Sequence, residues 1–160
     1  MSTSSPFLQI SDAIRAHILE SVGTILVGTR DATLTPEITR GWGPTIMPDG
    51  HTIDLCVSLS AGAKTLENLG ESDEIAVTFH HTVSYQTVQL KGRFLESAEP
   101  TPEDGKAVER QENILFEQSK AYGIPRSIGS RICSRDLVRI RFVVQQAFEQ
   151  TPGPRAGGTL

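Results

Sequence analysis

No stretch of this sequence is apolar over the roughly 20 residues that a helix needs to cross a bilayer. Runs of positive charge are missing too. Lys and Arg number 15 and are scattered among 19 Asp and Glu, for a net charge of -4. A chain of that balance, without a basic stripe, is a poor nucleic-acid binder. There are only two cysteines, Cys56 and Cys133, far apart and with no CxxC, which argues against a disulfide framework and against a zinc knuckle. The four histidines, His17, His51, His80 and His81, have no ligand-like spacing with Cys or acids. No G-x-S-x-G or GxxxxGK[ST] occurs, and the acids are too dispersed for a two-carboxylate glycosidase site. The opening Met1–Pro6 lacks the charged and apolar regions of a signal peptide. The expected location is the cytoplasm, with neither nucleic acid nor membrane as partner.

What is present is a sequence for one folded domain spanning 1–160. Hydrophobic residues make up 38% and charged residues 21% of its 160 residues, enough to bury one core. Ser11 can cap a short helix over 11–20, with Ile10, Ile14 and Ile18 on one stripe. The run 22–30 reads as a strand. A second strand over 37–47 carries Gly41, Gly43 and Pro44, which mark a bulge or weaken pairing. Pro48-Asp49-Gly50 is a turn. In 52–59 the alternation puts Ile53, Leu55, Val57 and Leu59 on one face. A short helix over 64–69 ends at Gly70. Strands follow at 74–80 and 83–96, then a helix from Thr101 to about Tyr122, capped by Thr101 with Pro102 in its first turn and acids at its positive end. A last strand covers 136–150. Residues 1–10 and the Gly- and Pro-rich 152–160 read as flexible or extended tails.

About six mostly antiparallel strands with a few helices inserted define a mainly β chain. So many strands in a small domain are best buried by closing into a β-barrel, which also removes exposed edges.

Few residues point to chemistry. Arg40 and Trp42 share one face of their strand, because side chains repeat every two residues. A guanidinium beside an indole suits an anionic, aromatic ligand, although a core Trp under an Arg stem gives the same spacing. Lys64 follows Ser60-Ala61-Gly62-Ala63 at a helix start, where small residues let backbone amides approach an anion. Thr87, Gln89 and Lys91 share a face opposite Val88 and Leu90, and offer hydroxyl, amide and ammonium to a heterocycle edge. No nucleophile with a base partner is apparent. If the chain is an enzyme, a cofactor supplies the reactivity.

In order and spacing these segments resemble the pyridoxamine 5'-phosphate oxidase-like family of split barrels that bind flavin mononucleotide (FMN). The likeness runs from about Ser11 to the last strand. Arg40 matches the family's ligand-facing Arg, and Trp42 stands where the family places a ring-contacting residue. Ser58 matches a hydroxyl residue six positions before the phosphate-binding Lys, here Lys64. Thr87 lies five before Gly92, where the oxidases carry a ring-contacting Gln; Gln89 or Gln86 is the local substitute. The ending Phe148–Pro154 also looks like that of small relatives.

The resemblance implies a split β-barrel of FMN-binding type, a homodimer with cofactor sites at the interface, and an FMN-dependent oxidoreductase acting on a small molecule. It implies Arg40 and Lys64 at the phosphate, Ser58 hydrogen-bonding it, and Trp42, Thr87 and Gln89 around the ring. Two departures argue against a true pyridoxamine phosphate oxidase. Ala63 stands where the oxidases have an Arg, and the tail Arg155–Leu160 has no His. The alternatives are a non-catalytic flavin carrier or sensor, or a barrel that uses a deazaflavin or haem, with His80 or His81 as the iron's axial ligand.

Overall fold

The computed structural model describes residues 6–160, so the part of the expected N-terminal tail in residues 1–5 lies outside the described residues. Six antiparallel strands close into a barrel in the order β1-β2-β3-β6-β5-β4. They are β1 (Thr24–Arg30), β2 (Pro36–Ile46), β3 (Thr52–Ser58), β4 (Glu74–His80), β5 (Thr87–Ala98) and β6 (Leu137–Glu149). Two meanders, β1-β2-β3 and β4-β5-β6, meet along a β1–β4 seam and a β3–β6 seam. The helices are α1 (Asp12–Ala16), running on as a π-helical turn over His17–Ser21, then α2 (Ala63–Glu71), α3 (Pro102–Ser119) and α4 (Arg126–Gly129). The mainly β, split-barrel expectation is met.

Alternation decides what is inside. Ile25, Val27, Ile53, Leu55, Val57, Val77, Phe79, Leu90, Ile140, Phe142 and Val144 form one buried cluster. In β3 every residue is buried, because its outward Asp54, Cys56 and Ser58 are covered by other parts of the chain. The turn at 48–50 holds as expected: Asp49 Oδ1 accepts from the amides of His51 and Thr52, and Gly50 takes a φ of 74°.

The irregularity expected in β2 is real. Its register against β3 shifts between Trp42 and Thr45. Gly43 has a φ of 60°, and a Cβ there would lie 2.5 Å from the backbone N of Val108. What approaches the strand at this point is therefore α3, whose start is fixed by the reciprocal cap between Thr101 and Asp104.

Several boundaries differ from expectation. α2 passes through Gly70 to Glu71, where Ser72 N closes the last turn on Asn68 O at 2.8 Å. β5 begins at Thr87, because 83–86 form a turn in which Tyr85 has a φ of 62°. Among the described residues of the two tails, neither 6–10 nor 152–160 trails free. Leu8 N donates to Val144 O and Ile10 N to Gly50 O, so 6–10 is pinned along the barrel. The C-terminal residues fold back on β6. Glu149 N donates to Gly158 O, Gly157 N to Glu149 O, and Leu160 N to Ala147 O. Gly and Pro here build a return turn, where composition alone reads as looseness. Among the described residues no helix is long and apolar enough to cross a membrane.

Candidate functional site

The outward residues of β2, β1, β4 and β5 form ordered rows. One row runs Arg40, Leu26, Thr78, Gln89 and on to Phe148 of β6. The next runs Ile38, Gly28, Ala76, Lys91 and Gln146. Among the described residues, α3 lies over the far part of β2, α2 packs on β1 and β2, and the π-helical turn after α1 reaches the end of β4, where His17 Nε2 meets Phe79 O at 3.0 Å. The outer face between these contacts is open, and Ile38 is 64% exposed on it. A groove of about 500 Å³ lies across it, with Gly28, Ile38, Ala76 and Lys91 among its lining residues.

Arg40 and Gln89 thus share one row, three strand spacings apart, or about 14 Å at the usual spacing of neighbouring strands. Arg40 is exposed and makes no hydrogen bond or ion pair among the described residues. Gln89 donates from Nε2 to Thr78 Oγ1 at 3.1 Å, and its carbonyl oxygen takes no hydrogen bond among the described residues.

Lys64 opens α2 at the barrel's edge. The loop before it touches β2: a Cβ on Gly62 would lie 3.6 Å from Thr39, the neighbour of Arg40. Its ammonium pairs with Glu67 at 3.1 Å. The hydrogen bond and charge of Glu67, with Asp31 and Glu71 further off, raise its pKa. An exposed pair one helical turn apart contributes little, so the side chain is free to swing.

The remaining three expected residues have other work. Trp42 does share the outer face with Arg40, but α3 covers it. It is 1% exposed and packs with Cys56, Val108 and Leu115. It cannot border a ligand ring unless α3 leaves.

Ser58 is 3% exposed and donates its hydroxyl proton to Asp136 Oδ1 at 2.8 Å, while Ala61 N donates to its oxygen at 3.0 Å. Asp136 Oδ2 takes the Ser60 amide at 2.9 Å and the Ser60 hydroxyl. The chain's own carboxylate thus uses the donors expected for a phosphate. These hydrogen bonds, from Ser60 first and then Ser58, hold Asp136 at about 2, well below an ordinary carboxylate.

Thr87 is likewise committed. Its proton goes to Tyr85 O at 2.8 Å, so at its 2.8 Å contact with His80 Nδ1 it accepts. That arrangement fixes the tautomer of His80, leaving Nε2 unprotonated. Burial, with the charges of His81 and His17, lowers the pKa of His80. His81 is the reverse: its Nδ1 accepts the amides of Val83 and Ser84, so the proton sits on Nε2. Of the two, only His80 offers a lone pair.

Both cysteines are free thiols. Burial pushes Cys56 up to about 12 and Cys133 to about 11, so neither is an activated nucleophile.

An acid titration tests the Asp136 clamp. Its folded pKa lies below the unfolded carboxylate value, so its stabilisation is complete above roughly pH 5 and fades as pH falls from there toward 2. The stability gap between wild type and Asp136→Asn should be constant from pH 7 to about 5 and close below 4. A gap that widens with acid contradicts the clamp.

No family model matches the sequence, and no curated protein does. Solved structures do match the fold. HupZ of Group A Streptococcus superposes with a TM-score of 0.55 at 16% identity, covering 92% of this chain and 99% of HupZ. A protein of Lactobacillus delbrueckii, named as a candidate pyridoxamine 5'-phosphate oxidase, gives 0.54 at 11% identity over 91% and 97%. HutZ of Vibrio cholerae, named as a haem storage protein, gives 0.51 at 13% over 89% and 95%. The fold is the pyridoxamine 5'-phosphate oxidase-like split barrel. Structures with this split barrel thus include ones named for different ligands, so the barrel alone does not set the ligand. The Arg40 face, with its partner-free guanidinium, has to be read on its own chemistry.

Proposed function

We propose that this split barrel binds FMN on its open outer face, as a homodimer whose second copy completes the site, and that it is an oxidoreductase toward a small molecule. The observation that carries the reading is Arg40: an exposed cation without an acid partner, on the open face and in one row with the free amide oxygen of Gln89. Arg40, with Lys64 released from Glu67, would take the phosphate. Gln89 would accept a hydrogen bond from the ring edge. Ser58, Trp42 and Thr87 are left out, since their groups serve internal contacts. When bound, the flavin supplies the electron-carrying ring, and the side chains hold and orient it.

A second reading is supported by His80, whose unprotonated Nε2 is the form that coordinates iron. In that reading the open face takes haem.

One titration series separates the two. FMN and riboflavin are added to wild type, Arg40→Ala and Lys64→Ala, and flavin fluorescence is followed. Each variant should weaken FMN by roughly 10- to 100-fold, the value of one charge-assisted contact of about 1.5–3 kcal/mol, and leave riboflavin unchanged. Equal losses for both flavins defeat the phosphate assignment. Haemin added to the same proteins should give no shifted Soret band; a band that His80→Ala abolishes selects the second reading instead.

A further inference from the structure

Gly28 sits in the middle of β1, between Ile38 on β2 and Ala76 on β4. Glycine inside a strand weakens it, and commonly marks a bulge or a close approach. β1 has no register shift against either neighbour, and Gly28 does not have a positive φ. A Cβ there would meet Ala76 O at 3.5 Å and Ala76 Cβ at 4.0 Å, ordinary contact distances. Gly41 and Gly92 are different. A Cβ at Gly41 would press into Ile25 and Leu55, and one at Gly92 would collide with Val143 O. The fold itself requires those two glycines. No crowding within the chain accounts for the missing side chain at Gly28.

Outside Gly28 is the groove described above. Gly28 and Ala76 form a low floor, with Ile38 on one wall and Lys91 and Gln146 on the other. Of the cations lining it, Arg30 is paired with Glu74 and Arg93 with Asp73. Lys91 has no carboxylate partner; its ammonium rests 4.9 Å from the centre of the Phe148 ring. The remaining acid of the lining, Glu37, stands on β2, about 14 Å away across three strand spacings. A flat floor beside an unneutralised ammonium matches a ring that carries a negative group.

We propose that this groove is a subsite for a flat aromatic anion, with its ring on the Gly28–Ala76 floor and its charge on Lys91. The proposal rests on the reading of this face as the cofactor's side, and it names the substrate class: a small planar aromatic acid held beside the flavin. Phe148 then backs the ammonium, and Gln146 adds an amide at the same edge.

The probe is 8-anilinonaphthalene-1-sulfonate, with neutral N-phenyl-1-naphthylamine as control, read by fluorescence against wild type, Lys91→Met and Gly28→Val. Gly28→Val should fold with an unchanged or higher melting temperature, since Val suits a strand and its Cβ meets only ordinary contacts. Both variants should weaken the sulfonate at least about tenfold, the lower end for one charge-assisted contact. Only Gly28→Val should weaken the neutral probe. Unchanged sulfonate affinity in Lys91→Met overturns the proposal, and that arm stands even if Gly28→Val fails to fold. So does competitive displacement of the sulfonate by FMN, which would make the groove the flavin's own seat. A Gly28→Val that changes oligomeric state in sedimentation without changing probe binding shows that the floor is shaped for a second copy, and also overturns it. If FMN fails to bind while the probe results hold, the flavin reading falls and the subsite stands.

Discussion

Asp54→Ala should cost the fold about 3–5 kcal/mol, the usual loss when one partner of a buried ion pair is removed. Asp54 is 4% exposed on the outer side of β3. Arg141 grips it with both arms, Nε to Oδ1 at 2.7 Å and Nη2 to Oδ2 at 2.8 Å. Arg139 approaches the same carboxylate at 3.9 Å and also lies near Asp104 and Glu96. Asp54 and Glu96 together raise the pKa of Arg141, and Arg139 Nε is buried without a hydrogen-bond partner. Without Asp54, two guanidinium groups keep only Asp104 at 4.0 Å and the half-exposed Glu96. Urea unfolding at neutral pH gives the measurement, with an unchanged m-value expected. Asp54→Asn, which keeps an acceptor and loses the charge, should fall between wild type and Ala. A loss under 1 kcal/mol for Asp54→Ala would mean that water already screens the cluster.

Trp42→Ala should be of similar size, about 3–5 kcal/mol for emptying a large buried site. The indole is the centre of the second core, where Cys56 of β3 meets Val108 and Leu115 of α3. Its loss leaves α3 without its main anchor on the barrel, so protease sensitivity within 102–119 should rise together with the drop in stability. Trp42→Phe should be far milder. The ring stays filled, and the indole Nε1 has no hydrogen-bond partner to lose. Flavin affinity of Trp42→Phe should equal that of wild type. A selective loss of FMN binding in that variant, with stability intact, would return Trp42 to the ligand.

The two residues show what the sequence could and could not carry. The parity of β2, which places Arg40 and Trp42 on one side, follows from side-chain alternation and was legible. So were the β2 bulge, the cap of α3 and the inward faces of β5 and of β3 at Ile53, Leu55 and Val57, although Leu59, expected on the same face, lies past the end of the strand and is exposed. What covers an outward residue was not legible, because it comes from far along the chain: Val108 stands over Trp42, and Asp136 reaches Ser58 across 78 positions. Hydroxyl and amide side chains look the same in a sequence whether they wait for a ligand or hold a turn. Ser58 and Thr87 each have an internal partner. Gly28 was visible from the start within a β-rich run. Its meaning needed the neighbours' positions, since only they show that a side chain would fit. In the tail, Gly and Pro signal turns without saying whether a turn leads away or back; Leu160 N on Ala147 O shows that it leads back.

The way the barrel closes also bears on how fast it can form. The pairs β1–β2, β2–β3 and β4–β5 join strands that are near in sequence, but β5–β6 joins Ala98 to Arg139 and Val88 to Glu149, and the β3–β6 seam joins Thr52 to Val143 and Ser58 to Leu137. Such distant pairing pays its loop-closure entropy before any reward arrives, and all-β topologies of this kind reach the native state in milliseconds to seconds. Asp54 and Arg141 face each other across that very seam. Their pairing is therefore placed to act as a late latch, one that slows opening more than it hastens assembly.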